Sequence, residues 1–534
     1  MPQLEKVLTY PTVFLGRNEG KPMNFSNSTT DQTERLKDTN TLAEQWDSID
    51  WTQVQKDVNR LQTRIAKATV KCDRNKVKRL QYLLTHSFCA RAHAVKKVTS
   101  NKGKNTSGVD KKLWSTLASK MKAVLALTDK HYRAKPLRRV YIKKKGKNKK
   151  RPLGIPTMYD RAMQTLYALA LEPVAETTGD HISFGFRKGR SAKDACEQIF
   201  CVLARKCSPT WILEGDIKGC FDNINHDWLQ ENISMDKRIM RQFLKSGFIY
   251  KGNLFPTNTG SPQGGAISSL YANMTLDGLE KLIQDKYHRN SKGKIENHYR
   301  AKTKVNLVRY ADDFIITANT KEIAEELKDI VSQFLEARGL TLSEEKTTIT
   351  HIDNGFDFLG WTFRKFKGKL IVKPSKGSIK TLIRKCATII LKEGKAESQF
   401  EVIRRLNQVI RGWTNYHRHV VASQAFSYIN NTLYLLLQQW AKHRHPNKNK
   451  WWRLNKYWHE KNGKRWLFMT DEHSLINLRR IEIIRHPKLQ ISKNPYIHEE
   501  YFAKRKMKLK SLVAARNGEE MLEPYERETL TYGS

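Results

Sequence analysis

The chain has 534 residues, with 97 Lys or Arg against 53 Asp or Glu and a formal net charge of +44. That length supports several domains with their own cores, and a charge spread through nearly every segment excludes a neutral carrier and makes a polyanion the natural partner. Seven cysteines without a Cys-x-x-Cys pair fit reduced, intracellular usage, and the lack of any run of about 18 apolar residues excludes a membrane span.

The first residues, with Glu5 and a Pro-interrupted apolar stretch, fit neither a signal peptide nor an Arg-rich transit peptide. Residues 20–45 are rich in Asn, Ser, Thr and charge, too polar to offset the entropy of ordering, so residues 1–45 are expected to be a disordered tail. Order is expected from Trp46. Val54, Val58, Leu61 and Ile65 share one helical face, and Val77, Leu80 and Leu84 continue on a second helix, with Lys and Arg between them. Val140 to Ile142 reads as a strand, and the seven basic residues among the nine from Lys143 to Arg151 as the cationic tip of a β-hairpin.

The apolar run from Trp211 ends on Asp216 and is followed by a helix-like stretch from His226. Ser261-Pro262-Gln263-Gly264-Gly265 precedes a helical run through Leu276 and Leu279. Its paired glycines fit a plain turn or a close backbone approach to a ligand. Val305 to Arg309 and Phe314 to Thr317 read as antiparallel strands around the turn Tyr310-Ala311-Asp312-Asp313.

After Pro374 the period becomes helical. Ile379, Leu382, Ile383, Cys386, Ile389 and Ile390 form one stripe; Ile403, Leu406, Val409, Ile410 and Trp413 a second; Phe426, Ile429, Leu433, Leu436 and Trp440 a third. The opposite faces carry Lys380, Arg384, Lys385, Arg404, Arg405 and Arg411. Trp440, Trp451, Trp452, Trp458 and Trp466, interleaved with Lys and Arg, suit base stacking and core packing equally. His443, His445, His459 and His473 lack zinc-ligand spacing and read as surface residues.

Adjacent carboxylates on a tight hairpin are usually solvated turn residues, since burying an unpaired one costs several kcal/mol. A second acid, Asp216, at a rigid strand end changes that balance. One Asp from each of two adjacent strands suits two cations roughly 4 Å apart, the arrangement used in phosphoryl or nucleotidyl transfer. Capping or a loop role suits Asp222 better.

With these acids, an ordered set of motifs resembles the group II intron-encoded reverse transcriptase/maturase family, in its chloroplast-like class. The motifs are Thr106-Ser107-Gly108-Val109-Asp110, Lys150 through Thr157, Ser183-Phe184-Gly185-Phe186-Arg187, the Ser-Pro-Gln-Gly-Gly run, Tyr-Ala-Asp-Asp, Gly339 through Ser343 with Lys346, Phe358-Leu359-Gly360-Trp361, and Arg411-Gly412-Trp413-Thr414-Asn415-Tyr416. They run in order between about Trp46 and Lys508. Lys111 and Ser269 depart from the family's usual Gly and Pro, and the absence of Cys after Cys386 implies that the zinc-supported endonuclease is missing.

The resemblance implies an α/β right-hand polymerase. Its parts are a tail (1–45), an N-terminal extension and fingers (46–210), a palm with an antiparallel sheet (211–373), a helical thumb/maturase bundle (374–460), a basic DNA-binding region (461–516) and a second tail (517–534). It implies RNA-directed DNA synthesis with Asp216, Asp312 and Asp313 as catalytic acids, and two Mg2+ ions held by Asp216, the Ile217 carbonyl and Asp312 with Asp313 assisting. Lys144 and Arg151 would grip the triphosphate and Gln263 the incoming nucleotide. Phe221 would exclude a 2′-hydroxyl, although a core Phe is an equal reading without the resemblance, and Lys346 would neutralise or protonate pyrophosphate. Lys143, Lys145, Lys149, Lys150, Arg187, Arg384, Lys385 and Arg411 would contact RNA or DNA.

The implied partners are the parent group II intron RNA, in a ribonucleoprotein that assists splicing, and dNTPs, DNA primer and DNA target. Intron mobility would use a 3′ end not cut by the chain itself. The implied location is the bacterial cytoplasm, at the nucleoid, or an organelle. A splicing cofactor with a decayed polymerase, a reverse transcriptase domesticated for host defence, and an RNA-dependent RNA polymerase are the competing readings, the last disfavoured by Phe221. Monomer and dimer both stay open.

Overall fold

The computed structural model describes residues 41–143, 150–262, 264–290, 293–294, 302–461 and 464–514. Residues 41–47 are helical, so residues 41–45 do not belong to a tail, and Trp46 is buried beside Trp51 with ring centroids 4.9 Å apart. Residues 1–40 lie outside the described residues.

Helices α1 (Trp51–Val70), α2 (Arg74–His86) and α3 (Phe88–Ser100) each begin at a side chain that accepts first-turn N–H groups: Asp50, Asp73 and Ser87. Val54, Val58, Ile65, Val77, Leu80 and Leu84 are buried as their spacing predicts. These helices surround α4 (Met158–Thr178), which is buried along most of its length. Gln62 and Gln81 donate to the Leu169 and Ala170 carbonyls of α4 at 2.8 and 3.3 Å.

The basic hairpin is β1 (Leu137–Lys143) against β2 (Lys150–Ile155), in antiparallel register Ile142 to Arg151. Its tip, including Lys144, Lys145 and Lys149, lies outside the described residues. After α5 (Ala192–Leu203) comes β3 (Trp211–Asp216), followed by β4 (Phe248–Tyr250) and β5 (Asn253–Phe255), which leave the expected palm region to complete a β2-β1-β4-β5 sheet.

The central sheet is antiparallel, ordered β6 (Asn306–Tyr310), β7 (Asp313–Ala318), β3, β8 (Thr348–His351). Alternation divides its side chains between two cores: Leu213, Phe314 and Ile316 join the helical side, with Leu327 and Val331 of α6 (Lys321–Glu336), while Ile212, Val308 and Ile315 join Phe184, Ile199 and Trp361. A sheet covered on both faces holds its strand ends rigidly.

Beneath the β6–β7 turn lies a buried ionic network. Arg309 of β6 is 1% exposed and pairs with Asp277, with Asp180 at 3.8 Å. Arg187, expected at the nucleic-acid surface, belongs to the same region: it is buried, pairs with Glu176 at 2.8 Å and donates to the Asp180 carbonyl. Its guanidinium is thus committed to the interior, because a buried cation needs close acceptors.

Strands β9 (Phe356–Phe358), β10 (Trp361–Phe366) and β11 (Lys369–Pro374) form a small sheet leading to α7 (Lys376–Thr388), α8 (Gln399–His417) and α9 (Ser423–Arg444). The three apolar stripes meet in one core, with Leu437 more deeply placed than Leu436. That core extends past the boundary expected at 460. After α10 (Lys450–Tyr457), the hairpin β12 (Trp458–Lys461) and β13 (Lys464–Phe468) contributes Trp458 and Phe468 to it, and Leu478 follows.

The rest of the expected DNA-binding region is a strap across the palm and fingers, not a separate body. Asn494 and Tyr496 bond Thr177 and Glu172 of α4 at 3.0 and 2.7 Å. Helix α11 (Glu499–Ala514) lays Phe502 on Gly189, where an added Cβ would stand 2.6 Å from the ring. Arg505 and His486 both meet the buried Asp194 carboxylate, His486 at 2.9 Å. Burial alone would raise the Asp194 pKa, but the His486 hydrogen bond and the His486 and Arg505 charges outweigh it and hold the group below the usual carboxylate value.

Candidate active site

Asp216 ends β3 and stands directly across from Asp313, the first residue of β7; Tyr310 pairs with Asp313 on the other side, so Asp312 occupies the turn. Two local features make this alignment possible. Gly215 faces Phe314 across the strands, and a Cβ on Gly215 would lie 2.1 Å from the ring, so only glycine lets Phe314 cross β3 and seat the strand end. The turn is tight enough to place Ala311 at φ +56°, and Gly185 packs against it, 2.4 Å from the Ala311 nitrogen for a would-be Cβ. The Ser-Phe-Gly-Phe motif is therefore a buttress: Phe184 N donates to Arg309 O at 2.9 Å, and Arg309 N to Ile182 O at 3.0 Å.

The three acids act on one another. Burial, then the charge of Asp216, raises the Asp312 pKa, while Arg151 and Lys346 pull it down. Asp313 is pushed up to about 6 by burial, then by Asp312 and Asp216, to which it is also hydrogen-bonded. Lys346 pairs directly with Asp216 across 130 residues of sequence, and that hydrogen bond leads the causes that raise the lysine pKa. Asp216 and Asp313 open onto a cavity of about 250 Å3 lined also by Glu214, Lys346, Phe358 and Leu359 among others. Glu214 is lifted to about 7 by burial, against hydrogen bonds from Thr348 and Thr350.

Among the described residues no three-membered His, Cys, Asp or Glu cluster closes into a metal site. The donor set still fits a hard cation that keeps open positions. Mg2+ is commonly held by one or two carboxylates plus substrate phosphates, and here mutually repelling acids already hold a lysine ammonium. Around Ile217, Ser343 N donates to Asp216 O at 2.8 Å and Lys218 N to Thr341 O at 2.9 Å. Carbonyls alternate along a strand, which turns the Ile217 carbonyl to the opposite side, toward β7.

Some of the residues expected on the nucleotide side lie near these acids. Arg151 and Lys150 are exposed on β2, and Arg151 is near enough to lower the Asp312 pKa. Phe221 is half-buried at the edge of the main core, and its carbonyl accepts from Ser261 N at 2.7 Å. Gly264 meets β2, its would-be Cβ 2.8 Å from Gly154 O, so the Ser-Pro-Gln-Gly-Gly loop spans from Phe221 to the basic hairpin. Gln263 itself, and the Lys143 side chain, lie outside the described residues.

On the thumb, Lys380, Arg384 and Lys385 are exposed along α7, and Arg411 is half-buried on α8. Arg405, expected on the same basic face, is tied to Glu393 and to Glu397 at 2.7 Å. The tryptophans divide: Trp440 and Trp458 are core, whereas Trp451, Trp452 and Trp466 are exposed. His443 and His459 are exposed, as expected; His445 is instead half-buried on the Tyr457 hydroxyl at 2.7 Å, and His473 against Phe400.

Sequence reading missed a link from thumb to cleft. Tyr416, on α8, stacks on Trp361 at 4.5 Å and donates from its hydroxyl to Leu359 O at 2.9 Å. Leu359 lines the cavity and sits at φ +50°, a conformation that side chains favour little. Both motifs were visible in the sequence, but nothing local pairs them. Arg309, a charge within the apolar run Leu307-Val308, was the one available signal for the buried network.

A two-face-buried antiparallel palm with acids at adjoining strand ends, fingers hairpin and helical thumb is the right-hand polymerase fold. The chain matches the family model of reverse transcriptase (RNA-dependent DNA polymerase) over residues 142–363, that of the N-terminal domain of reverse transcriptase over 46–127, and the group II intron maturase-specific domain over 379–458. It is 33% identical over 353 residues to the group II intron-encoded protein LtrA of Lactococcus lactis subsp. cremoris, covering 54% of this chain and 58% of LtrA. It is 31% identical over 320 residues to Protein YkfC of Escherichia coli (strain K12), covering 53% of this chain and 82% of YkfC. The chain belongs to the group II intron-encoded reverse transcriptase/maturase family. Among the described residues no helix is long and apolar enough to cross a membrane.

Proposed function

We propose that the protein is an RNA-directed DNA polymerase that also binds its parent group II intron RNA and assists splicing. The observation that carries the first half is the register of Asp216 with Asp313, with Asp312 in the adjoining turn, beside an open cavity and within electrostatic reach of Arg151. Asp216, Asp312 and the Ile217 carbonyl would hold two Mg2+ ions, with Asp313 adjusting their charge; bound there, the ions supply activation of a primer 3′-hydroxyl and neutralisation of the triphosphate.

The chain's own side chains provide placement. The planar fork of Arg151 suits paired phosphate oxygens, Lys150 adds charge beside it, and by resemblance Lys144 would share that grip. Phe221 presents a ring where a 2′-hydroxyl would clash, so deoxynucleotides are the substrates. By resemblance, Gln263 would contact the incoming nucleotide. Lys346, paired with Asp216 before substrate arrives, is placed to transfer its charge to departing pyrophosphate. Phe358 and Leu359 line the same cavity and would meet the primer end.

The second half rests on surface, not carboxylates: the exposed Lys380, Arg384 and Lys385 face and the maturase-specific match over 379–458. Primer extension on an RNA template by wild type and Asp312→Ala, with intron splicing assayed in parallel, tests both. Loss of cDNA with splicing retained is expected. A wild-type protein inert on every RNA template would leave a splicing cofactor alone.

A further inference from the structure

We propose that Trp451 and Trp466 form a stacking platform for unpaired RNA bases on the surface of the thumb. The inference rests on the intron-binding reading above and gives it a place and a chemistry.

The first observation is exposure. Trp451 is 66% exposed and Trp466 49%, although Trp440 and Trp458 from the same stretch fill the core beneath them. An indole left in water forgoes the gain of burial, so large rings exposed together mark a binding surface. Their arrangement is the second. Trp451 on α10 and Trp466 on β13 have ring centroids 6.4 Å apart at 52°, and Trp466 sits at φ +62° in its strand, which turns its ring out of the hairpin's regular alternation. Two lysines lie near the neighbouring Trp452 ring, Lys448 Nζ at 5.4 Å and Lys456 Nζ at 5.0 Å from its centroid.

The third observation is charge. Between Lys442 and Lys456 there are six Lys or Arg and no Asp or Glu. Two copies of such a patch would repel each other, and an anionic protein would offer few flat rings to meet the indoles. A nucleic acid satisfies both features, with phosphates on the cations and bases on the rings. The bases must be unpaired, because a duplex hides its π-faces inside the stack. RNA is the source favoured here, because α10 lies within the span matched by the group II intron maturase-specific model.

The test uses the full chain, a twelve-nucleotide oligouridylate carrying 4-thiouridine, and the matching deoxy oligomer. Wild-type protein should photo-crosslink to the RNA within residues 450–466. Trp451→Ala/Trp466→Ala should weaken RNA affinity roughly 5- to 50-fold, the range expected for losing one or two base stacks. The salt slope should stay unchanged because the cations remain. The Phe/Phe double variant should recover most of the loss, with primer extension on a preformed template–primer duplex unaltered. Unchanged RNA affinity, a loss confined to the deoxy oligomer, a loss seen only in the salt slope, or a wild-type dimer that the Ala pair dissociates would each overturn the platform. A wild-type protein inert in primer extension but showing the RNA loss would remove the polymerase reading and leave the platform standing.

Discussion

The palm and the thumb handle charge in opposite ways. In the palm, ionic groups sit at strand ends or beneath them: Asp216 and Asp313 face each other in register, and Arg309 is locked to Asp277 with almost no exposure. In the thumb, an apolar bundle keeps charge outside, on faces such as Lys380, Arg384 and Lys385. A charge built into a sheet acts through one geometry and fails abruptly when that geometry is lost. A charge spread over a helical face acts through its sum and fails by degrees.

The sharpest break of this contrast is at the turn. Asp312→Ala should lower DNA synthesis by at least about a thousandfold in primer extension, the scale of removing a preorganised electrostatic group, while thermal unfolding changes little. Next comes Arg309→Ala, which strands Asp277 in the interior; about 3–5 kcal/mol of stability should be lost, read by denaturant unfolding. A neutral or stabilising outcome would mean that the palm does not depend on its buried ions. Tyr416→Phe keeps the stack on Trp361 and removes one hydrogen bond, so a stability loss of about 0.5–1.5 kcal/mol is expected, with a raised KM for primer end and little change in kcat.

Smaller effects belong to the periphery. Asp194 has a pKa depressed in the fold, so its contribution to stability is present above its ordinary value of 3.8 and is lost as pH falls through the lower folded value. Hydrogen exchange in α11 should therefore be slow at pH 5 and above and accelerate selectively below about pH 4; uniform acceleration across the chain would detach the strap from this carboxylate. Arg384→Gln with Lys385→Gln should flatten the log affinity versus log salt line for RNA by about one to two units and leave synthesis on a short duplex nearly unchanged.

The same contrast explains what the sequence disclosed. Strand and helix periods are local, so the β6–β7 hairpin, the strand ending at Asp216 and the three thumb stripes could be read from spacing. Lys346 was singled out but not its pairing with Asp216, because an ion pair across 130 residues leaves no periodic trace. The resemblance puts Arg187 in contact with nucleic acid, and Glu176, eleven residues earlier on α4, claims its guanidinium for the interior instead. The strap was misread for a related reason: residues 485–514 are basic and motif-poor, and their docking depends on single partners such as Glu172 and Asp194. Among the tryptophans, composition left packing and stacking equal, and depth decides the matter residue by residue.

The bond from the Tyr416 hydroxyl to Leu359 turns the maturase helix into a lever whose short arm ends at the polymerase cavity. On the proposed function, RNA that shifts this helix would load the Leu359 carbonyl through that bond. Thermodynamic reciprocity would make such a load mutual: a primer seated against Leu359 would then alter how tightly the helix grips its RNA.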